Sequence, residues 1–230
     1  MSLLETKSLT RIYGGLHAVD CVDFSLDSGE VHALIGPNGA GKSTFVGMVS
    51  GRIPASAGEV WFDGTNITSA PAHDRIRAGM AYTFQITAIY AKLSLAENVA
   101  LALGKRDKAA ILAALDRVGL ADRAGQIAGD LSYGHQRLLE IAMGVAQAPR
   151  LLILDEPTQG LAESEIAGFN ALIKGLAGET TILLIEHNMN VVMALADRIT
   201  VLEAGQVLAS GTPNEIRTNV DVQNAYLGTS

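Results

Sequence analysis

The sequence of 230 residues is poor in cysteine and in basic residues, and it lacks long apolar runs. The single cysteine, Cys21, has no partner for an internal disulfide, so we expect a reducing cytoplasm and a small buried side chain at this position. Apolar runs such as Leu151–Leu154 and Ile182–Ile185 are far shorter than the ~20 residues that span a bilayer. We therefore expect a chain that does not cross a membrane.

Acidic residues outnumber basic ones, with 24 Asp and Glu against 17 Lys and Arg and a formal net charge of −7. This balance argues against a nucleic-acid binder, because nucleic acids attract basic surfaces. The hydrophobic content of 48 % is sufficient for a sizeable core. We find no internal repeat and no low-complexity linker, so residues 1–230 are predicted to form a single domain.

A glycine-rich stretch follows an apolar run that ends at Ile35 and precedes a helix-like segment, Phe45 to Ser50. Strand, glycine-rich turn and helix in this order are typical of a phosphate-binding loop. Lys42 would reach the β- and γ-phosphates of a nucleotide, and the Ser43 hydroxyl would ligate Mg²⁺. The predicted nucleotide-binding residues are Gly36, Pro37, Asn38, Gly39, Ala40, Gly41, Lys42, Ser43 and Thr44.

Strand and helix patterns alternate on both sides of a helical middle, which predicts an α/β fold with a mostly parallel sheet. Residues 3–35 read as β-structure, and α/β alternation resumes at Leu151. The middle, roughly residues 86–148, is predicted to be a helical subdomain inserted in this core. Its second helix is expected to bury one apolar stripe, formed by Ile111, Leu112, Leu115 and Val118.

Two acidic residues, Asp155 and Glu156, directly follow the apolar run 151–154. In a phosphate-loop protein, an aspartate at such a strand end holds Mg²⁺, usually through water. Glu156 is placed to polarise an attacking water as a general base. The alternative is that both residues only cap the turn that follows the strand, where Pro157 interrupts the regular structure.

Two further polar positions stand at the ends of predicted elements. His187 follows the strand Thr181–Ile185 and would lie near the γ-phosphate, although a solvent-facing histidine fits the spacing equally well. Ser132 begins a helix whose free N–H groups would bind an anion, or it is an ordinary helix cap. The histidines show no metal-ligand spacing with the cysteine, so we predict no zinc site.

The set of motifs resembles an ATP-binding-cassette (ABC) ATPase over essentially the whole chain. The phosphate loop, Gln85, residues 131–137, residues 151–156 and His187 are similar in order and spacing to that family's Walker A, Q-loop, signature, Walker B and H-loop motifs. The resemblance implies an ABC-type P-loop NTPase fold. Its sheet core would be mostly parallel, with an N-terminal antiparallel β subdomain and an inserted helical subdomain.

The resemblance also implies roles for individual residues. Tyr13 would stack on adenine, and Ser132 and Gly134 would bind the γ-phosphate of a nucleotide held by the opposite subunit. Gln85 would sense Mg²⁺ and the γ-phosphate while it touches the membrane partner. The implied cofactors are ATP and Mg²⁺; the catalytic residues would be Glu156, His187 and Gln85, and the metal site would comprise Ser43, Gln85 and Asp155.

Tyr133 and His135 replace a glycine and the glutamine of the usual signature, and Ala162 replaces the aspartate of the loop after Walker B. These departures resemble the branched-chain amino-acid importer branch, as do Thr83-Phe84-Gln85 and the terminal Ala225-Tyr226-Leu227-Gly228. The implied function is that of an ATP-hydrolysing importer subunit for branched-chain or other amino acids or related amides. Alternatives are an ABC exporter subunit, a soluble non-transport ABC ATPase, and a small-molecule kinase that uses the same phosphate loop.

An importer subunit implies specific partners. We expect an ATP-driven homodimer, or a heterodimer with a related ATPase subunit, that lies peripherally on the cytoplasmic face of the membrane and is soluble when isolated. It would drive transmembrane permease subunits and, indirectly, a periplasmic or extracellular substrate-binding protein. The apolar loop 86–93 is the predicted docking site, with Ile89 and Tyr90 lining a groove, unless Ile89 and Leu93 belong to the core.

Overall fold

The computed structural model describes residues 2–83 and 88–227. The strands of this part of the chain are β1 Ser2–Tyr13, β2 Leu16–Asp27, β3 Val31–Ile35, β4 Ala57–Phe62, β5 Thr65–Asn66, β6 Met80–Thr83, β7 Leu151–Asp155, β8 Thr181–Ile185, β9 Arg198–Glu203 and β10 Gln206–Gly211. The α-helices are α1 Lys42–Val49, α2 Ala72–Arg77, α3 Leu95–Leu103, α4 Lys108–Arg117, α5 Tyr133–Val145, α6 Glu163–Ala177, α7 Met189–Leu195, α8 Pro213–Thr218 and α9 Val220–Leu227. Within these residues, no helix combines the length and apolar character needed to span a bilayer.

A six-stranded sheet in the order β10-β9-β3-β8-β7-β6 forms the centre of the fold. Strands β9, β3, β8, β7 and β6 are parallel, and β10 pairs antiparallel with β9. Every residue of β3, β7 and β8 is buried, because the sheet is covered on both faces. The predicted mostly parallel sheet is confirmed.

A second sheet, in the order β2-β1-β4-β5, is antiparallel throughout, as predicted for the N-terminal part. In β2, Val22, Phe24 and Leu26 are buried and alternate with exposed polar residues, because one face of the strand covers the core. The expectation for Cys21 was wrong: it is exposed and lies at a positive φ of 51° in this strand.

Helices α3, α4 and α5 lie between β6 and β7 in the chain, where a helical insertion was predicted. Ser94 and Glu97 form a reciprocal capping box at the start of α3, and Gly104 ends that helix in the left-handed conformation. In α4, Ile111 and Leu115 are buried, whereas Leu112 is 36 % exposed. The predicted stripe was wrong at Leu112, because consecutive residues lie about 100° apart around a helix.

The central sheet separates two apolar clusters. On one face, Leu152, Leu154, Ile182 and Leu184 pack with residues of α3 to α6. On the other, the alternate residues of the same strands pack with α1 and the antiparallel sheet. Because β3, β8 and β7 are parallel, their carboxyl ends lie at the same edge of the sheet. Parallel α/β folds bind their ligands at this edge.

Candidate functional site

The loop after β3 turns so tightly that two of its positions accept only glycine. Gly36 has a φ of 152°, and a Cβ on it would lie 2.2 Å from the carbonyl oxygen of Leu202. Gly41 has a φ of 100°, and its Cβ would lie 2.3 Å from the carbonyl oxygen of Ala18. Gly41 also supplies no side-chain cap to α1, which begins at Lys42 rather than at the predicted Phe45. The first N–H groups of α1 therefore have no side-chain cap at Gly41, and uncapped N–H groups at a helix start can bind an anion.

Lys42 lies inside this loop and is only 8 % exposed. Its ammonium donates hydrogen bonds to the carbonyl oxygens of Gly36, at 2.7 Å, and of Pro37, at 3.0 Å. Burial lowers the pKa of Lys42, and the charges of Glu156 and Asp155 oppose that shift. The acid pair at the end of β7 therefore acts electrostatically on the ammonium of Lys42.

Asp155 ends β7 and is almost fully buried. The hydroxyl of Tyr82, on the neighbouring strand β6, donates a hydrogen bond to Oδ2 of Asp155. Burial, together with the carboxylate of Asp155, raises the pKa of Tyr82, so this hydroxyl remains a donor. The guanidinium of Arg52 lies 3.8 Å from the centre of the Tyr82 ring. Sequence reasoning did not identify Tyr82.

Glu156 adopts a φ of 46°, in the left-handed region that a bulky residue rarely occupies. Its N–H donates to the carbonyl oxygen of Ile185, at 2.9 Å, which ties the end of β7 to the end of β8. Backbone strain of this kind is concentrated at functional sites, where it aims a side chain. Oε2 of Glu156 lies 3.9 Å from Nδ1 of His187, whose side chain is 58 % exposed. The fold thus brings Glu156 and His187 together.

Arg137, on α5, is buried and holds the same strand end from the other side. Its Nη2 donates to the carbonyl oxygens of Asp155, at 3.1 Å, and Glu156, at 3.0 Å. Its Nη1 forms an ion pair with Glu140, at 2.6 Å. Sequence reasoning missed this role of Arg137, although the residue ends the 131–137 segment. Helix α5 is therefore anchored to the backbone of the acid pair.

The start of α5 is held by contacts with its own helix and with α6. Ser132 caps the helix, and its Oγ lies 2.7 Å from Nδ1 of His135. A Cβ on Gly134 would lie 2.5 Å from Oε1 of Glu165, so this glycine allows a close approach of α6. The ring of Tyr133 lies against Gly160, whose added Cβ would be 2.9 Å from Tyr133 Cε1.

Three further predicted residues, Tyr13, Ile89 and Tyr90, differ in how far they are exposed. Tyr13, at the end of β1, is 42 % exposed rather than core, and the guanidinium of Arg11 lies 4.5 Å from the centre of its ring. Gln85 lies outside the described residues. Tyr90 is 58 % exposed, while Ile89 is partly buried against the helical core.

The described residues contain no group of three or more His, Cys, Asp or Glu side chains that could hold a metal ion. The hydroxyl of Ser43 and the carboxylate of Asp155 are oxygen donors of the kind that Mg²⁺ prefers. The residues present are thus compatible with this ion.

The glycine-rich loop after β3, the acid pair at the end of β7 and the histidine after β8, the strand between them, are features of a P-loop ATPase. Residues 19–159 match the family model described as ABC transporter, and residues 206–230 match one described as branched-chain amino acid ATP-binding cassette transporter. The chain belongs to the ABC transporter family and is one of its ATP-binding, ATP-hydrolysing subunits.

The chain is 38 % identical to the high-affinity branched-chain amino acid transport ATP-binding protein BraF of Pseudomonas aeruginosa, over 98 % of each chain. It is 34 % identical to the lipopolysaccharide export system ATP-binding protein LptB of Escherichia coli, over 99 % of this chain and 98 % of that one. Its fold is similar to that of the ATP-binding cassette MJ1267 in its ADP conformation, with a TM-score of 0.91, 26 % identity and 99 % of each chain covered. ABC ATPases of this kind dimerise and work with membrane permease subunits.

Proposed function

We propose that this chain powers the import of branched-chain or other amino acids, or related amides, through separate permease subunits. The observation that carries the proposal is the match of residues 206–230 to the branched-chain amino acid transporter model. That segment comprises β10, α8 and α9 and lies outside the ATP-binding motifs. Because it is separate from the motifs that ABC ATPases share, it discriminates between branches of the family.

Hydrolysis is assigned to the cluster at the carboxyl ends of β3, β7 and β8. The loop 36–44 and the ammonium of Lys42 bind the β- and γ-phosphates, and Tyr13 stacks on adenine. Glu156 accepts a proton from the attacking water, and His187 hydrogen-bonds the γ-phosphate. Ser43, Asp155 through water, and Gln85 would hold Mg²⁺, which would supply positive charge beside the phosphate oxygens.

The second nucleotide contact is proposed to come from another subunit. Ser132 and Gly134 stand at the start of α5, where helix N–H groups bind the γ-phosphate held by the opposite chain. In the free chain, the Ser132 Oγ lies 2.7 Å from Nδ1 of His135, and the hydroxyl can donate to the opposite nucleotide while it accepts from that ring nitrogen. The dimer, of two copies or of this chain with a related subunit, drives the permease through Gln85 and the following residues.

The test is reconstitution of the chain with its permease subunits in liposomes that contain ATP. An importer of this class takes up labelled leucine or a related amide when the loaded binding protein is outside, and Lys42→Ala abolishes that uptake. No uptake of any amino acid or amide, with ATP turnover stimulated instead by a lipid or lipopolysaccharide, would refute the proposal. That outcome would favour export, as in the system of the 34 % identical relative LptB.

Docking of the permease is tested separately with the double variant Ile89→Glu and Tyr90→Glu. The backbone N–H of Tyr90 donates to Oδ1 of Asn98 at 2.8 Å, which fixes the segment without involving the exposed ring. We expect ATP hydrolysis by the isolated chain to stay near normal while association with membranes is lost. Loss of folding in this variant would assign the segment to the core instead.

A further inference from the structure

Glu186, the residue between β8 and His187, is a buried carboxylate whose side chain bridges two loops of the site. It is 0 % exposed. Its Oε1 accepts hydrogen bonds from the N–H of Thr158, at 2.9 Å, and from the Thr158 hydroxyl. Its Oε2 accepts from the N–H groups of His187, at 3.1 Å, and Asn188, at 3.2 Å. Each carboxylate oxygen therefore serves a different loop.

All four partner groups donate hydrogen bonds to Glu186. A carboxylate can satisfy them all, because both of its oxygens are acceptors. A buried charge without such partners is strongly unfavourable. An apolar residue would fill the space, but it would leave the N–H groups of Thr158, His187 and Asn188 without this acceptor. The chemistry of the site therefore requires a carboxylate here, not merely a side chain of this size.

The two loops that Glu186 joins carry groups near the reaction centre. One loop follows Glu156 and reaches Gly160, on which the Tyr133 ring of α5 lies. The other carries His187, which lies 3.9 Å from Glu156. The hydrogen bond from Glu156 N–H to Ile185 O already joins the two strand ends. The Thr158–Glu186 contact adds a second connection, two residues after Glu156 and one residue after Ile185.

We propose that Glu186 is a positioning residue for ATP hydrolysis. It holds His187 and the loop after Glu156 in one arrangement, so that both keep their distance from the γ-phosphate. Without the carboxylate, the loops separate and the water, the base and the histidine lose alignment. The proposal rests on the roles proposed above for Glu156 and His187.

The variant Glu186→Gln tests the proposal with almost no change in shape. The amide NH₂ of glutamine replaces one of the two acceptor oxygens. The donor groups of one loop then face the NH₂, which cannot accept their hydrogen bonds, and that loop is released. We expect kcat to fall about 10- to 100-fold, the loss that misplacement of a reacting group by about 1 Å produces. The KM for ATP should change less than about threefold, because the phosphate loop keeps its contacts.

Glu215→Gln is the matched control. Glu215 also accepts from the N–H and the hydroxyl of one threonine, Thr212, at 2.7 and 2.9 Å, but it does so at the start of α8. This variant makes the same change at an exposed helix start, where the amide oxygen can still accept from Thr212, and it should keep its kcat within about twofold. If both variants lower kcat in proportion to their thermal stability, Glu186 is only structural.

Thr158 keeps the proposal testable if Glu186→Gln does not fold. Thr158→Val removes only the hydroxyl donor and should lower kcat with little change in KM, whereas Thr158→Ser retains the donor and should restore kcat. Equal kcat values for Thr158→Val, Thr158→Ser and the unaltered chain would overturn the proposal. Glu156→Gln, measured in parallel, distinguishes failure of the proposed role of Glu156 from failure of the proposed role of Glu186. If Glu156→Gln hydrolyses ATP at the normal rate, Glu156 is not the base, whatever the result for Glu186→Gln.

Discussion

Replacing Gly41 by alanine introduces two unfavourable terms that the structure allows us to separate. The residue has a φ of 100°, and a Cβ would lie 2.3 Å from Ala18 O and 3.4 Å from Val19 Cγ2. The left-handed backbone costs an L-residue about 1–2 kcal/mol. Overpacking against a fixed backbone carbonyl adds about 1–3 kcal/mol. We therefore expect Gly41→Ala to lower the free energy of unfolding by about 2–5 kcal/mol.

Gly39→Ala supplies the control, because Gly39 also has a positive φ, of 81°, but a Cβ there meets nothing within 4 Å. This variant should lose only the backbone term, about 1–2 kcal/mol. Urea unfolding of both variants without nucleotide measures the difference directly. Binding of a fluorescent ATP analogue should then weaken more in Gly41→Ala, because the shifted loop displaces the start of α1.

Equal stability of the two alanine variants would refute this reasoning. It would mean that β2 and the loop relax apart at no cost, so that the approach of Ala18 to Gly41 does not fix the loop. A Gly41→Ala variant of normal stability but without ATP binding would be equally informative. It would show that the glycine serves the phosphates directly rather than the packing of the loop.

Four further predictions concern single groups. Lys42→Ala should abolish tight ATP binding, measured by calorimetry, because it removes the cation that meets the β- and γ-phosphates. Glu156→Gln should bind ATP normally but lose turnover, since it loses only the base; equal loss of both in a steady-state assay would make Glu156 structural. With Glu156→Gln and MgATP the chain should elute as a dimer on size exclusion, and added Ser132→Arg should return it to a monomer. Burial lowers the pKa of His32 to about 3, so the folded state resists protonation that the unfolded state accepts below pH 6.5. Between pH 6.5 and 4.5, the free energy of unfolding of the unaltered chain should therefore fall by roughly 2 kcal/mol more than that of His32→Gln. Urea unfolding at the two pH values measures this difference.

The elements whose burial is decided locally were predictable from the sequence. The continuous apolar run 151–154 is typical of a parallel strand covered on both faces, and β7 is fully buried. Residues 181–185 were predicted as a strand, and β8 is fully buried as well. The start of α3 at Ser94 is specified in the same local way, because its capping box with Glu97 joins residues only three positions apart. The end of β3 and the phosphate loop were predicted for the same reason, since their signal is contained in a few consecutive residues.

The residues that the sequence did not reveal act across long stretches of chain. Tyr82 reaches Asp155 from 73 positions away, and Arg137 reaches the carbonyls of Asp155 and Glu156 from 18 and 19 positions away. A tyrosine in a strand and an arginine in a helix are ordinary there, and no local pattern distinguishes them from other residues of these elements. The contact depends on which strand lies beside β7 and how α5 packs, which is a property of the whole fold.

These long-range contacts also change how the acid pair is understood. The end of β7 is held by Tyr82 from β6, by Glu186 through Thr158 from β8, and by Arg137 from α5. Glu156 keeps a left-handed backbone only because several neighbours fix the peptides around it. Because Arg137 lies in the same helix that Ser132 caps, displacement of α5 by a second subunit would pull on the backbone of Glu156 itself. This buried guanidinium thus gives the proposed dimer a physical connection to the backbone of Glu156.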